Sequence, residues 1–315
     1  MTDTERYVRR AADPSTGVPV AAVTPESAGW GYSGLEVREL GAGAVWSREL
    51  AAEEAVVLPL RGGVHLAVTG PEPCEADLAG RAGVFAGPSD FAYVPVGSRV
   101  TVTAGPGGAR VALATSRAER VLSLRVVPRD EVRIDLRGAG SCSRQVNNYT
   151  LATEVEVDHL LVCEVVTPGG NWSSYPPHKH DQHSEAERVL EEIYYFEVAD
   201  GPEGPGVGYH RTYGTPDRPI DVLAEVRTGD TALVPHGFHG PCMATPGYDL
   251  YYLNVMAGPS ADGRWLAVDD PAMAWVRGTW LDQAVDPRLP CSTTSPTSSP
   301  VHGVHADAPT REDRR

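Results

Sequence analysis

Phe91-Ala-Tyr-Val-Pro-Val-Gly-Ser-Arg99 and Thr231-Ala-Leu-Val-Pro-His-Gly-Phe-His239 read as two copies of one element, offset by 140 residues, with Ala, Val, Pro and Gly coincident. Each is a short β-prone run closed by Pro, which fixes φ, and then by Gly, which allows a tight reversal. A strand ending in a sharp turn is expected in each half of the chain. Around the first copy lie further apolar or alternating runs at 56–60, 64–68, 99–103 and 109–115, and around the second at 160–166, 193–198, 220–226 and 250–255. With 33 Gly and 27 Pro against 4 Phe, the sequence predicts an all-β chain of many short strands. Its 315 residues suit two such units, at roughly 100 to 200 residues per domain. We expect them over 1–135 and 136–290.

The two copies differ at their last position, where Arg99 stands in place of His239. No His-x-His precedes Arg99, so the first unit is expected to be unable to hold a metal. Residues 118–150, ending RGAGSCSRQVNNYT, read as the connection, whose Arg and Asn either cap one unit or reach into the mouth of the other. From Cys291 onward Ser, Thr, Pro and charge dominate, and 291–315 is expected to be a disordered tail.

Acidic residues outnumber basic ones 42 to 27, for a net charge of −15. Such a surface disfavours phosphate backbones and anionic lipid, so neither nucleic acid nor membrane is expected as a partner. No apolar run approaches the ~20 residues of a membrane span. The opening MTDTERYVRR lacks the apolar core of a secretory leader, and a cytoplasmic address is expected. Five cysteines, none in a C-x-x-C pair, fit reduced thiols there.

Six of the ten histidines lie between 178 and 239. His178 and His180 are two apart, so in an extended segment both rings project from one face and can reach one ion. Leu190-Glu-Glu-Ile-Tyr-Tyr-Phe196 opens an aromatic strand with two carboxylates, of which one faces inward. Glu192 shares parity with Tyr194 and Phe196, whereas Glu191 shares it with Glu197. The second Pro-Gly turn then delivers His239, with His236 and His183 as loop or outer groups. Imidazoles with one carboxylate suit a borderline divalent cation and leave room for water or substrate.

These residues resemble the cupin superfamily, with its H-x-H…E and P-x-G…H motifs, although the interval from His180 to Glu192 is longer here. GNWSSYPPHKHD (170–181), LEEIYYF (190–196), LVPHGFHG (233–240) and PGYDLYYLNVMAG (246–258) are more specifically similar to the 5-deoxy-glucuronate isomerase family of inositol catabolism. That resemblance implies two jelly-roll barrels, the first degenerate and the second holding one divalent metal, Zn or Mn, through His178, His180, Glu192 and His239. It also implies an aldose–ketose isomerase acting on a small sugar acid; a homo-oligomer is compatible with this. Glu192, Asp181 and Tyr252 are the candidate proton carriers. Lys179, the chain's one lysine, is a candidate for catalysis and, with Arg211 and Tyr175, for binding the substrate. A metal-dependent dioxygenase and a non-catalytic sugar-acid binding module are the rival readings of the same ligand set.

Overall fold

The computed structural model describes residues 1–151, 153, 155–260 and 262–291, and the expected tail at 292–315 lies outside them. The chain is mostly β, and the predicted runs become strands. Runs 56–60 and 64–68 fuse into one long strand, Glu53–Thr69, which bends where its pairing slips near Gly62. Gly62 adopts a φ of 74° there, and a Cβ would lie 2.3 Å from the Gly108 carbonyl oxygen. The bend lets one strand pair with Ala109–Arg117 on one side of it and Ser98–Ala104 on the other. Leu50, Val57, Leu66, Leu78, Val100, Val102 and Val111 fill the space so enclosed with apolar side chains.

The repeated element takes the same form twice, as strands Phe91–Val94 and Thr231–Val234, each followed by a glycine at positive φ, Gly97 and Gly237. Arg99 is half exposed and pairs with Glu49, whereas His239 is buried.

A seven-stranded antiparallel sheet organises the second half, in the order Val8–Arg9, Thr231–Val234, Glu191–Val198, Leu250–Ala257, Leu161–Thr167, Arg144–Asn148 and Arg133–Arg137. Two of these strands come from the stretch read as a connection. Sequence periodicity missed them because Arg133-Ile-Asp-Leu-Arg137 alternates over only five residues and buries the polar Asp135, while Arg144-Gln-Val-Asn-Asn148 carries a single apolar residue. Opposite this sheet lies another, in the order Arg218–Val226, Gly208–Thr215, Phe238–Ala244, His178–Lys179 and Val268–Asp269. The segment from Asp270 to Asp282 is a run of turns, one short helix, Val276–Thr279, and a 3-10 turn. Among the described residues no helix is long and apolar enough to cross a membrane.

The pleat gives the seven-stranded sheet two chemically different faces. Asn147, Glu164 and Tyr251 point toward the first half of the chain. There Arg81 reaches Glu164 through two bonds of 2.7 and 2.8 Å, with Tyr251 Oη and Asn147 Nδ2 donating to the same carboxylate. Glu54 works similarly, accepting backbone N–H bonds from Asp158, His159 and Leu160. The opposite face carries Glu192, Tyr194, Tyr252 and Asn254, brought side by side by the registers Tyr194 with Asn254 and Phe196 with Tyr252.

Arg81 and Glu164 are 1% and 0% exposed at their side chains. Replacing Arg81 by Leu strands the carboxylate in a dry interior, and chemical denaturation is expected to show a loss of about 3–5 kcal/mol; an unchanged midpoint would contradict this lock between the halves.

Candidate metal centre

His178, His180 and His239 converge because of local chain geometry. His178 pairs directly across strands with His239, so their rings meet at 4.5 Å between centroids. His180, two residues on, lies 4.7 Å from the His239 ring. One ligand-capable atom from each of the three falls within 4.8 Å of the others in a buried cluster. The Gly237 turn aims His239 inward, and Gly237 has no room for a side chain, since a Cβ would sit 2.7 Å from the Tyr213 carbonyl oxygen.

Hydrogen bonds settle which ring nitrogen faces the centre. His180 Nδ1 lies 3.1 Å from the Leu190 carbonyl oxygen and His239 Nδ1 lies 3.2 Å from that of Gly237. A carbonyl can only accept, so Nδ1 carries the proton in both rings and Nε2 is turned inward, the arrangement that second-shell carbonyls impose on ligating imidazoles. Both Nε2 atoms are 3.0 Å from Glu192 Oε2. For His239 the geometry is not that of a hydrogen bond, and its buried Nε2 has no partner. Glu191, by contrast, points the other way and accepts the backbone N–H groups of Gly31, Tyr32 and Ser33.

Neutral imidazole nitrogens and a carboxylate are all electron-pair donors, and buried at 3 Å they repel unless positive charge sits among them. Burial raises the Glu192 carboxyl, but the adjoining His239 and His180 more than offset this and hold it well below its usual range. Burial lowers His180, and its contact with Glu192 more than reverses the effect. Burial, with His239 and His180 alongside, keeps His178 neutral, far below its ordinary value. The donor set fits a divalent cation, which would take the place of the proton that His180 and Glu192 must otherwise share.

Other sequence candidates lie elsewhere. Lys179 projects away from its two histidine neighbours, as strand parity requires, and donates to Asp181 at 2.9 Å and Glu187 at 2.8 Å. Asp181 accepts from Lys179, from Arg218 and from the Gly237 N–H, so it ties the His178–His180 segment to the turn that carries His239. Glu187 folds the long interval before Glu192 back on itself by also accepting from the Asp181 and Gln182 N–H groups. Arg211 pairs with Asp221 and the Val222 carbonyl. Tyr175 donates to the Met273 sulfur. Only Glu192 and Tyr252 share the inner face with the histidines; Tyr252 Oη lies 3.1 Å from Ser174 Oγ, which is 3.2 Å from Tyr194 Oη.

Sequence reasoning missed Glu187, Ser174 and His210. His210 is fully buried between Tyr194 and Phe196, with Nε2 at 2.9 Å from Thr212 Oγ1 and Nδ1 at 3.3 Å from Cys242 Sγ. Burial pushes it down to about 3. Parity along Gly208–Thr215 could have found it, because His210 and Thr212 alternate with the outward Tyr209, Arg211 and Tyr213. Ser174 adopts a φ of 46°, unusual for a side-chain-bearing residue, and nothing in its sequence context announces that.

Replacing Lys179 by Met would leave the nearly buried Glu187 without a cation and Asp181 with only the half-exposed Arg218, and urea denaturation is expected to show a loss of about 3 kcal/mol. A stability equal to that of the parent would contradict a structural role for this lysine.

The sequence profile of the KduI/IolB family matches residues 7–276. A relative from Geobacillus thermodenitrificans named 5-deoxy-glucuronate isomerase is 40% identical over 86% of this chain and 96% of its own length. Relatives of that name from Geobacillus kaustophilus and Bacillus subtilis strain 168 are 42% and 37% identical over 82% and 83% of this chain, and over 90% and 94% of their own. Among solved structures, an IolB-like protein from Salmonella typhimurium LT2 superposes with a TM-score of 0.77 at 29% identity, covering 86% of this chain and 98% of that one. Lactobacillus farciminis oxalate decarboxylase gives a TM-score of 0.56 at 12% identity, over 79% of this chain and 82% of its own, a likeness of fold alone, of the cupin kind.

Proposed function

We infer the function from one premise: the chain belongs to the KduI/IolB family. It is an enzyme, a 5-deoxy-glucuronate isomerase, converting the aldose 5-deoxy-glucuronate to its 2-keto isomer in inositol catabolism. The observation that carries this reading is the cluster of inward-turned imidazoles against Glu192, embedded in a chain that matches relatives named for that activity over most of their length. The architecture we propose is a degenerate barrel over 1–135 and a metal-binding barrel over 136–290, with strand Arg133–Arg137 straddling the boundary. We assign it to the cytoplasm, with a small sugar acid as its partner.

His178, His180, His239 and Glu192 would hold the ion, Zn or Mn. When bound, it would supply Lewis-acid polarisation of the substrate carbonyl and stabilise the developing oxyanion. The isomerisation moves a proton from C2 to C1 and a hydroxyl proton from O2 to O1, with no net redox change. Glu192 Oε2 lies against His180 and His239, while its Oε1 takes no hydrogen bond among the described residues, so Oε1 is the group we assign to carry the carbon-bound proton. Burial holds the Tyr252 phenol well above its ordinary value, so at neutral pH it stays protonated and donates to a sugar oxygen. Ser174, between Tyr252 and Tyr194, gives that hydroxyl proton a path along three linked O–H groups. Asp181, fully engaged by Lys179, Arg218 and Gly237, is a positioning group in this scheme.

The test is an NMR assay in D2O with 5-deoxy-glucuronate. Keto product with deuterium at C1 is expected, and absence of turnover would overturn the reading. Elemental analysis and the same assay on His180→Ala are expected to show metal and turnover lost together; wild-type turnover in that variant would exclude the site. Tyr252→Phe is expected to lower kcat by about 100-fold with metal content intact, and an unchanged kcat would remove Tyr252 from the chemistry.

A further inference from the structure

A six-carbon sugar acid presents a carboxylate, and a chain of net charge −15 must hold it with cations it has not already spent. Lys179 and Arg211 are committed to Asp181, Glu187 and Asp221. Arg144 is not. It is 8% exposed, its one protein hydrogen bond runs from Nη1 to the Cys142 carbonyl oxygen at 3.1 Å, and no carboxylate lies within ion-pair distance among the described residues. The contrast is with Arg81, which is buried and doubly bonded to Glu164. A desolvated guanidinium left without a counter-charge is expensive.

A second orphan sits against it. The Arg144 guanidinium lies 5.6 Å from the Trp280 ring centroid, and the buried Trp280 indole N–H has no acceptor. Arg277 covers the same ring at 5.2 Å but is held by Asp269. Gly138, at a φ of 74°, clears space for this arrangement, since a Cβ there would lie 2.7 Å from Arg144 Nη1. Burial, with Arg137 and Arg277 nearby, pushes the Arg144 guanidinium down to about 10, so the surroundings hold unbalanced positive charge.

Position completes the case. Arg144 alternates with Val146 and Asn148 on its strand, and register carries that face across Val165 to Tyr252 and across Cys163 to Asn254. This is the face of Glu192. On it Asn148 Oδ1 and Asn254 Nδ2, and on the opposite sheet His239 Nε2, are buried without partners. With Arg144 and the Trp280 indole N–H, these are buried polar atoms of the kind a polar ligand satisfies.

We propose that Arg144, with the Trp280 indole N–H, binds the substrate's carboxylate and so sets the preference for a uronate over a neutral aldose. This rests on the isomerase reading. The site would take a carboxylate by charge-assisted hydrogen bonds from the guanidinium and the indole N–H, the Cys142 carbonyl being the one acceptor already on Arg144 among the described residues.

The experiment compares 5-deoxy-glucuronate with 5-deoxy-glucose, in which CH2OH replaces the carboxylate. In Arg144→Gln, KM for the uronate is expected to rise by about 30-fold or more, with kcat, bound metal and kcat/KM for the neutral sugar little changed. Equal losses on both sugars, or an undiminished preference for the uronate, would overturn the assignment. Trp280→Phe keeps the ring and removes the N–H; a rise in uronate KM of about 5-fold with no effect on the neutral sugar supports the pocket, and no difference between the sugars counts against it even should Arg144→Gln misfold. If the wild type turns over neither sugar, the isomerase reading falls. Quenching of tryptophan fluorescence by D-glucuronate then still decides the pocket, which requires quenching in the wild type and its loss in Arg144→Gln.

Discussion

One buried carboxylate oxygen between two imidazole nitrogens governs this molecule. Glu192 Oε2 stands 3.0 Å from Nε2 of both His180 and His239, and both rings are fixed by backbone carbonyls so that their lone pairs face it. In a dry interior an uncompensated charge costs several kcal/mol even after relaxation. The fold must therefore both bring these groups together and supply the positive charge that makes their proximity favourable. Most of the second half can be understood as meeting the first demand. Strand pairing joins His178 to His239, the Gly237 turn points His239 inward, and the Lys179, Asp181 and Glu187 ion pairs brace the loop between the histidines and Glu192.

The seven-stranded sheet lets one scaffold serve stability and chemistry. Alternate residues along the 250–257 strand show the division: Tyr251 donates to the Glu164 carboxylate that Arg81 neutralises, while Tyr252, one position on, joins the hydroxyl network of Ser174 and Tyr194. A satisfied buried network faces the first half of the chain, and orphaned polar atoms face the site. That asymmetry distinguishes a locking surface from a ligand surface better than burial does, since Glu164 and Glu192 are 0% and 3% exposed. It also accounts for the first half, whose enclosed space is packed with hydrocarbon and whose Arg99 turns outward to Glu49.

The all-β character and the pairing of His178 with His180 were legible in the sequence because both depend on short-range periodicity, and His239 was legible because it follows the second Pro-Gly turn. Two residues per strand repeat puts His178 and His180 on one face, and the same parity separates Glu192 from Glu191. Ion-pair partners were not legible. Lys179 and Arg211 drew attention as cations, but the carboxylates that hold them lie two to ten residues away, at spacings that carry no signal. Strands 133–137 and 144–148 escaped because they are short and what they bury is largely polar, Asp135 in the first and Arg144, Gln145, Asn147 and Asn148 in the second, so they look like linker. His210 and Ser174 depended on burial and on an unusual backbone angle, which emerge only from the assembled chain.

Metal-edge X-ray absorption on the purified protein tests the central claim most directly. Three imidazole nitrogens and one carboxylate oxygen at about 2.0–2.2 Å are the shell this account requires. A shell of solvent oxygens alone, or one containing sulfur, would contradict it.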